Sequence, residues 1–225
     1  MTMESNIEKP LENDLDVKDK IINQYRKHVL ISGADPASVF AFCKEIGIEE
    51  AVFYIHFNSF SQVQEAIWQS IFQQIVDRLE ARQEYAEFSG REKLLSFYYE
   101  FFEAMKQYRS YALINLEDGF ATLGRTPSGL DALKGDFKNW INGLIADGMY
   151  THEVASRSKL SDSYDNLFWL QFMFLLNFWK RDKSQGFQKT DAAIEKSVNL
   201  SFDLISKNAL DSAFDFGKFL FQNLK

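Results

Sequence analysis

Three histidines, one cysteine and scattered carboxylates are the side chains with which this 225-residue chain could do bond-making chemistry. The histidines stand at 28, 56 and 152, at none of the spacings that bring imidazoles to one metal. Glu100, Glu103, Glu117 and Asp118 fall on helical segments, where a solvated face accounts for them. No phosphate-cradling glycine loop or nucleophile elbow occurs, so neither an enzyme nor a bound cofactor or metal is expected. Recognition chemistry is better represented. Within Ser38–Phe57 the hydroxyls of Ser38 and Tyr54 and the ammonium of Lys44 can donate to phosphate oxygens. Glu49 and Glu50 suit the positive end of a helix dipole, and in a DNA major groove a carboxylate accepts chiefly from cytosine N4. His56 reads first as a packing residue at a helix end, and second as a base reader.

Those residues need helices to hold them. Ile21, Ile22, Tyr25, Val29 and Leu30 recur at helical spacing, predicting a first helix over 18–32 that Gly33 stops. Asp35-Pro36 is a start signal for the second, with Ser38 as an alternative cap. Val39, Phe42, Cys43 and Ile46 make its apolar stripe, Gly47 supplies a left-handed turn residue, and a short helix follows over about 49–55. Ser61 is expected to cap a fourth helix, over 61–82, in which Val63, Ile67, Ile71, Ile75 and Leu79 recur every four residues. This helix–glycine–helix unit fits a helix-turn-helix, which lays its second helix in the major groove. It fits an αα-corner of a helical bundle equally well.

Ser38–Phe57 also resembles the DNA-binding segment of the TetR/AcrR family of bacterial regulators. That pattern runs Thr/Ser-Val-x-x-Ile-Ala-x-x-Ala-Gly-Val-Ser-x-Gly-x-Leu-Tyr-x-His-Phe. Ser38, Val39, Gly47, Tyr54, His56 and Phe57 match it without insertion, and Phe42, Ile48 and Phe53 fill its core places. The resemblance implies an all-α protein with an N-terminal three-helix helix-turn-helix DNA-binding domain over residues 18–66. A disordered acidic arm over 1–17 precedes it, and a larger helical ligand-binding and dimerisation domain over 67–225 follows. It also implies a ligand-responsive homodimeric regulator, a repressor, on double-stranded DNA with a palindromic operator. The DNA-facing residues would be Ser38, Lys44, Glu49, Glu50, Ala51, Val52, Tyr54, Ile55 and His56.

The chain departs from the pattern where charge matters. The recognition helix opens Glu49-Glu50-Ala51 instead of Ser-x-Gly, and Asn58-Ser59-Phe60 stands where the family often has Lys-x-Lys. Residues 18–66 hold five Lys or Arg (18, 20, 26, 27, 44) against six Asp or Glu (19, 35, 45, 49, 50, 65). Phosphate contacts supply much of DNA affinity. The competing expectation is therefore a TetR fold with degenerate DNA binding that takes up a lipid-like or aromatic small molecule.

Beyond residue 85 aromatics dominate, and helices are expected at 91–106, 108–119, 130–147, 161–182, 189–208 and 211–223. By layout, the family resemblance makes 161–182 and 189–208 the dimerising pair. It also suggests a pocket for a hydrophobic effector lined by Tyr98, Phe101, Met105, Tyr108, Trp140, Phe168 and Phe172, each of which would serve equally as core. The net charge of −7 argues against nonspecific binding to nucleic acid or acidic membranes by the whole surface. One cysteine excludes an intramolecular disulfide. The longest apolar run, Leu167 to Trp179, falls short of the about 20 residues a membrane span needs. No basic start precedes an apolar stretch at the N-terminus. A cytoplasmic protein without a membrane partner is expected.

Overall fold

Within the described residues, the apolar residues that recur every three or four positions lie on helices. The computed structural model describes residues 11–116, 126, 127, 129–150, 154 and 164–205, and among them no strand occurs. The order is α1 (Leu11–Ser32), α2 (Val39–Ile46), α3 (Glu50–His56), α4 (Phe60–Glu80), α5 (Gly90–Gln107), α6 (Arg109–Asn115), α7 (Asp131–Tyr150), α8 (Tyr164–Arg181) and α9 (Gln188–Ile205). Short 3₁₀ turns, Gln83–Glu87 and Gln185–Phe187, precede α5 and α9. The chain divides into two compact units, residues 1–67 and 68–225.

In the first unit Ile21, Tyr25 and Val29, four apart on α1, are fully buried. They meet Phe42 and Cys43 of α2, Phe53 of α3, Phe57 just beyond it, and Val63 of α4 in one core. Phe60 is its hub. Its ring stacks on Tyr25 at 5.4 Å and meets Phe42 and Phe53 edge-on at 5.5 and 5.6 Å. The position where the family often carries a lysine is thus spent on packing. Below that core Asp35 accepts from the Tyr25 hydroxyl and from Gln64 Nε2 at 3.2 Å, tying α1, the α1–α2 turn and α4 together.

Three sequence expectations need correction. Residues 11–17, read as part of a disordered arm over 1–17, are helical. Asp35-Pro36 does not start α2: Ser38 does, its Oγ accepting from Ala41 N at 3.1 Å, because Asp35 is committed to Tyr25 and Gln64. The cap of α4 is Ser59 rather than Ser61. Ser59 Oγ accepts from Gln62 N at 3.4 Å while Gln62 Oε1 accepts from Asn58 N at 2.7 Å, a near capping box. Residues 1–10, 117–119, 161–163 and 206–225, with the expected 211–223 helix, lie outside the described residues.

The second unit is built on aromatic contact. Phe97 of α5 touches Phe72 of α4, Phe137 and Trp140 of α7, and Phe172 of α8, with centroids 4.7–6.2 Å apart. Polar ties fix the surrounding helices. Arg91 of α5 donates to Asn199 and Asp203 of α9, both at 2.9 Å, and Lys138 of α7 pairs with Asp165 of α8 at 3.0 Å. The N-terminus of α5 carries a full capping box, Ser89 with Glu92.

The end of α8 is clamped from α6. The Arg109 guanidinium lies over the rings of both Trp179 and Phe187, 4.7 and 4.6 Å from their centroids. It donates to the carbonyls of Trp179, Lys180 and Asp182, which a helix end leaves open. No helix among the described residues is long and apolar enough to cross a membrane.

Candidate nucleic-acid interface

Gly47 sets the geometry between α2 and α3. Its φ of 69° lies in the left-handed region, where its N–H reaches back to Cys43 O, and Ile48 N donates to the same oxygen at 3.0 Å. A Cβ at Gly47 would meet nothing within 4 Å, so only the backbone conformation resists substitution. Gly47→Ala is therefore expected to cost about 1–2 kcal/mol. Urea denaturation of the first unit, followed by circular dichroism, measures it.

The helix period then decides which α3 residues face out. Phe53 and Phe57, four apart, are buried in the core. At about 100° per residue, Ala51 and Ile55 fall on the opposite side. Both are exposed, Ile55 at 72%. Tyr54 presents an exposed phenol beside them, while Val52 and His56 are half-buried at the flanks. Glu49 occupies the N-cap position of α3 without capping it and is exposed; Glu50 opens the first turn and is half-buried. Burial, and then the charge of Glu50, push the Cys43 thiol up. That thiol is a core group and not a nucleophile.

Ser38 and Lys44 bracket α2. The Ser38 oxygen already accepts the cap hydrogen bond, which leaves its hydroxyl proton for a phosphate. Lys44 is exposed in the last turn, where a cation complements the helix end. The nine residues singled out from the sequence thus stand on one helix pair, and Ser38, Lys44, Glu49, Ala51, Tyr54 and Ile55 among them are exposed. Sequence reasoning passed over Phe40, which is 63% exposed on α2. Its position off the Val39–Phe42–Cys43–Ile46 stripe was the available signal.

In the second unit the seven residues proposed for an effector pocket divide. Tyr98 stacks on Phe172 at 6.0 Å, Phe101 meets Phe172 edge-on at 4.9 Å, and Trp140 joins them through Phe97 at 4.7 Å. Met105 is fully buried two turns beyond Tyr98 on α5. Phe168 pairs instead with Phe202 of α9 at 5.6 Å. Tyr108 ends α5 and lines a cavity of about 200 Å³ with Ile71, Ile75, Arg78 and Glu100. The Tyr98 hydroxyl is buried with no hydrogen-bond partner among the described residues, and burial pushes its pKa well up. A buried donor left open costs about 1–3 kcal/mol.

On the outer side, Leu170 and Phe174 of α8 and Leu200 and Leu204 of α9 are exposed, each pair four residues apart. The described residues thus hold a three-helix unit with a helix–glycine–helix turn, joined in sequence to an all-helical aromatic domain. A family model described as tetracyclin repressor-like, C-terminal domain, matches residues 93–220. The match covers more than half of the sequence, and the chain belongs to this TetR family of regulators. No curated protein matches the chain.

Proposed function

We propose that the protein is a homodimeric, ligand-responsive transcriptional repressor that binds a palindromic DNA operator through α2 and α3. The observation that carries this reading is the α2–Gly47–α3 geometry, which turns Ala51, Tyr54 and Ile55 away from a core closed by Phe53 and Phe57. The scarcity of cations on that face makes the affinity modest and its salt dependence shallow. Selection of bound sequences from a random DNA pool by the purified full chain tests it. An enriched inverted repeat is expected, and no enrichment at low salt would reject the reading.

Dimerisation is supported by the apolar stripe of α8 and α9. Phe174 is 49% and Leu200 60% exposed, and two such helices from each protomer would close a four-helix bundle. The double variant Phe174→Glu, Leu200→Glu is expected to sediment as a monomer and to lose operator binding at least 100-fold (roughly 3 kcal/mol), since a half-site alone holds one recognition helix. A variant that remains dimeric would place the interface elsewhere.

The effector is an apolar, partly aromatic molecule with one hydrogen-bond acceptor. Tyr98 supports this, as a buried hydroxyl among rings that an acceptor would satisfy. Helix α4 supports a route for its effect. Phe60 belongs to the first unit's aromatic core, and Phe72 on the same helix to the second's. A ligand that displaced rings around Phe72 would shift α4, and with it α3. In a dimer that changes the separation of two recognition helices, which must match about 34–36 Å on DNA.

One observation favours the second reading, a TetR fold that binds a lipid-like or aromatic molecule and has lost DNA. Helix α3 contains no Lys or Arg, and Glu49 and Glu50 stand at its start. Glu50→Lys separates the two, raising affinity for DNA at low salt in the regulator and changing nothing in the degenerate protein.

A further inference from the structure

The side chains that read purines as bidentate hydrogen-bonding pairs are missing from α3. Its sequence is Glu-Ala-Val-Phe-Tyr-Ile-His. In the major groove guanine is read by Arg or Lys, and adenine by Asn or Gln, each as a bidentate pair. None of those four types occurs in α3. What faces out is a small methyl, Ala51, and one turn on a branched aliphatic, Ile55, with 72% of its surface open. The neighbouring Phe53, by contrast, is fully buried and contacts Phe42, Tyr54, Phe57 and Phe60.

The major groove offers one apolar group, the 5-methyl of thymine. An aliphatic side chain set against any other base edge would strip water from a donor or acceptor without replacing its hydrogen bond. We propose, resting on the DNA-binding reading above, that Ile55 with Ala51 is the specificity determinant of the interface and recognises thymine methyl groups. The operator half-site therefore carries thymine on the contacted strand where these two residues lie. Glu49 and Glu50 add only an acceptor for cytosine N4, so the contacted strand is pyrimidine-rich at these positions.

Deoxyuridine differs from thymidine by that methyl alone, which makes the test direct. An operator selected by the full-length protein is resynthesised with dT replaced by dU, one half-site position at a time. Burying one methyl corresponds to roughly a four-fold change in affinity, and to roughly 15-fold when both half-sites lose it. The expected result is that loss at one or two positions per half-site, abolished in Ile55→Ala, which binds the T and U operators equally. Ile55 lies outside the core, so the variant keeps the wild-type melting profile, and the dU series needs no variant. A specific operator indifferent to every dT→dU exchange would overturn the inference and leave the DNA-binding reading standing. So would a dU effect that persists in Ile55→Ala. Failure to select any operator would reject the DNA-binding reading itself, and this inference with it.

Discussion

Phe53→Ala is expected to destabilise the first unit by about 3–5 kcal/mol, the range for emptying a buried aromatic site. Phe53 is fully buried and touches Phe42, Phe57 and Phe60, so its loss opens a cavity where α2, α3 and α4 meet. A unit of under 70 residues has only about 3–10 kcal/mol of stability to lose. The variant should therefore populate a form in which α3 is unfolded while the second unit persists. All four tryptophans (68, 140, 169 and 179) belong to the second unit, so their fluorescence follows that unit alone. Urea titration should show an early loss of helical ellipticity with the tryptophan transition unmoved. Coincident, wild-type-like transitions would contradict the packing described.

Asp182 carries the second large effect. Its buried carboxylate accepts four hydrogen bonds: from Ser184 N and Oγ at 2.8 and 2.7 Å, and from Thr190 N and Oγ1 at 2.9 and 2.8 Å. Burial pushes the carboxyl up, and the hydrogen bonds from Ser184 and Thr190 outweigh it, drawing it from the ordinary 3.8 down to about 2. A carboxyl whose folded pKa is depressed stabilises the fold fully above its unfolded value. That contribution disappears as pH falls through the folded one. The junction of α8 and α9 should thus lose stability between pH ~4 and pH ~2. Asp182→Ala should cost about 3 kcal/mol at neutral pH, since two backbone donors and two hydroxyls lose their acceptor. Thermal melts from pH 2 to 7 read both effects: the wild type should drop across the acid window, and the variant should lack that component. A variant with the wild-type acid profile would remove Asp182 from the account.

Much of the fold was readable because helices write their packing at fixed spacing. The four-residue recurrence of Val63, Ile67, Ile71, Ile75 and Leu79 marks α4, and all five are buried. Gly47 announced a left-handed turn, and φ there is positive. The all-α class and the family both followed from such local signals. The cap residues were less readable. Asp35 and Ser61 are good cap types, but Asp35 is drawn away by Tyr25 and Gln64, and Ser59 starts α4 one turn position earlier. Those choices depend on partners up to 29 residues away. Phe187, with φ of 65°, carried no sequence signal either; a bulky residue sits there beside Gly186 while the Arg109 guanidinium lies on its ring.

The candidate site was legible in position and much less so in quality. Spacing put Ala51 and Ile55 on the short helix after Gly47, but their prominence came from the burial of Phe53 and Phe57 opposite them. For the effector pocket, aromatic excess on α5 and α8 told only that rings gather there. A core and a ligand cavity draw on the same residue types. The pocket proposal rests on the Tyr98 hydroxyl, buried without a partner among the described residues, and that feature is visible only when its neighbours are in place.

The seat of Phe60 constrains how this interface can evolve. Its ring joins α1, α2 and α3 at the place where a lysine would reach toward the DNA backbone. A change to lysine there would gain a cation but give up the ring contacts with Tyr25, Phe42 and Phe53. Any gain in DNA affinity has to arise elsewhere on the helix pair, with Glu49 and Glu50 the accessible sites.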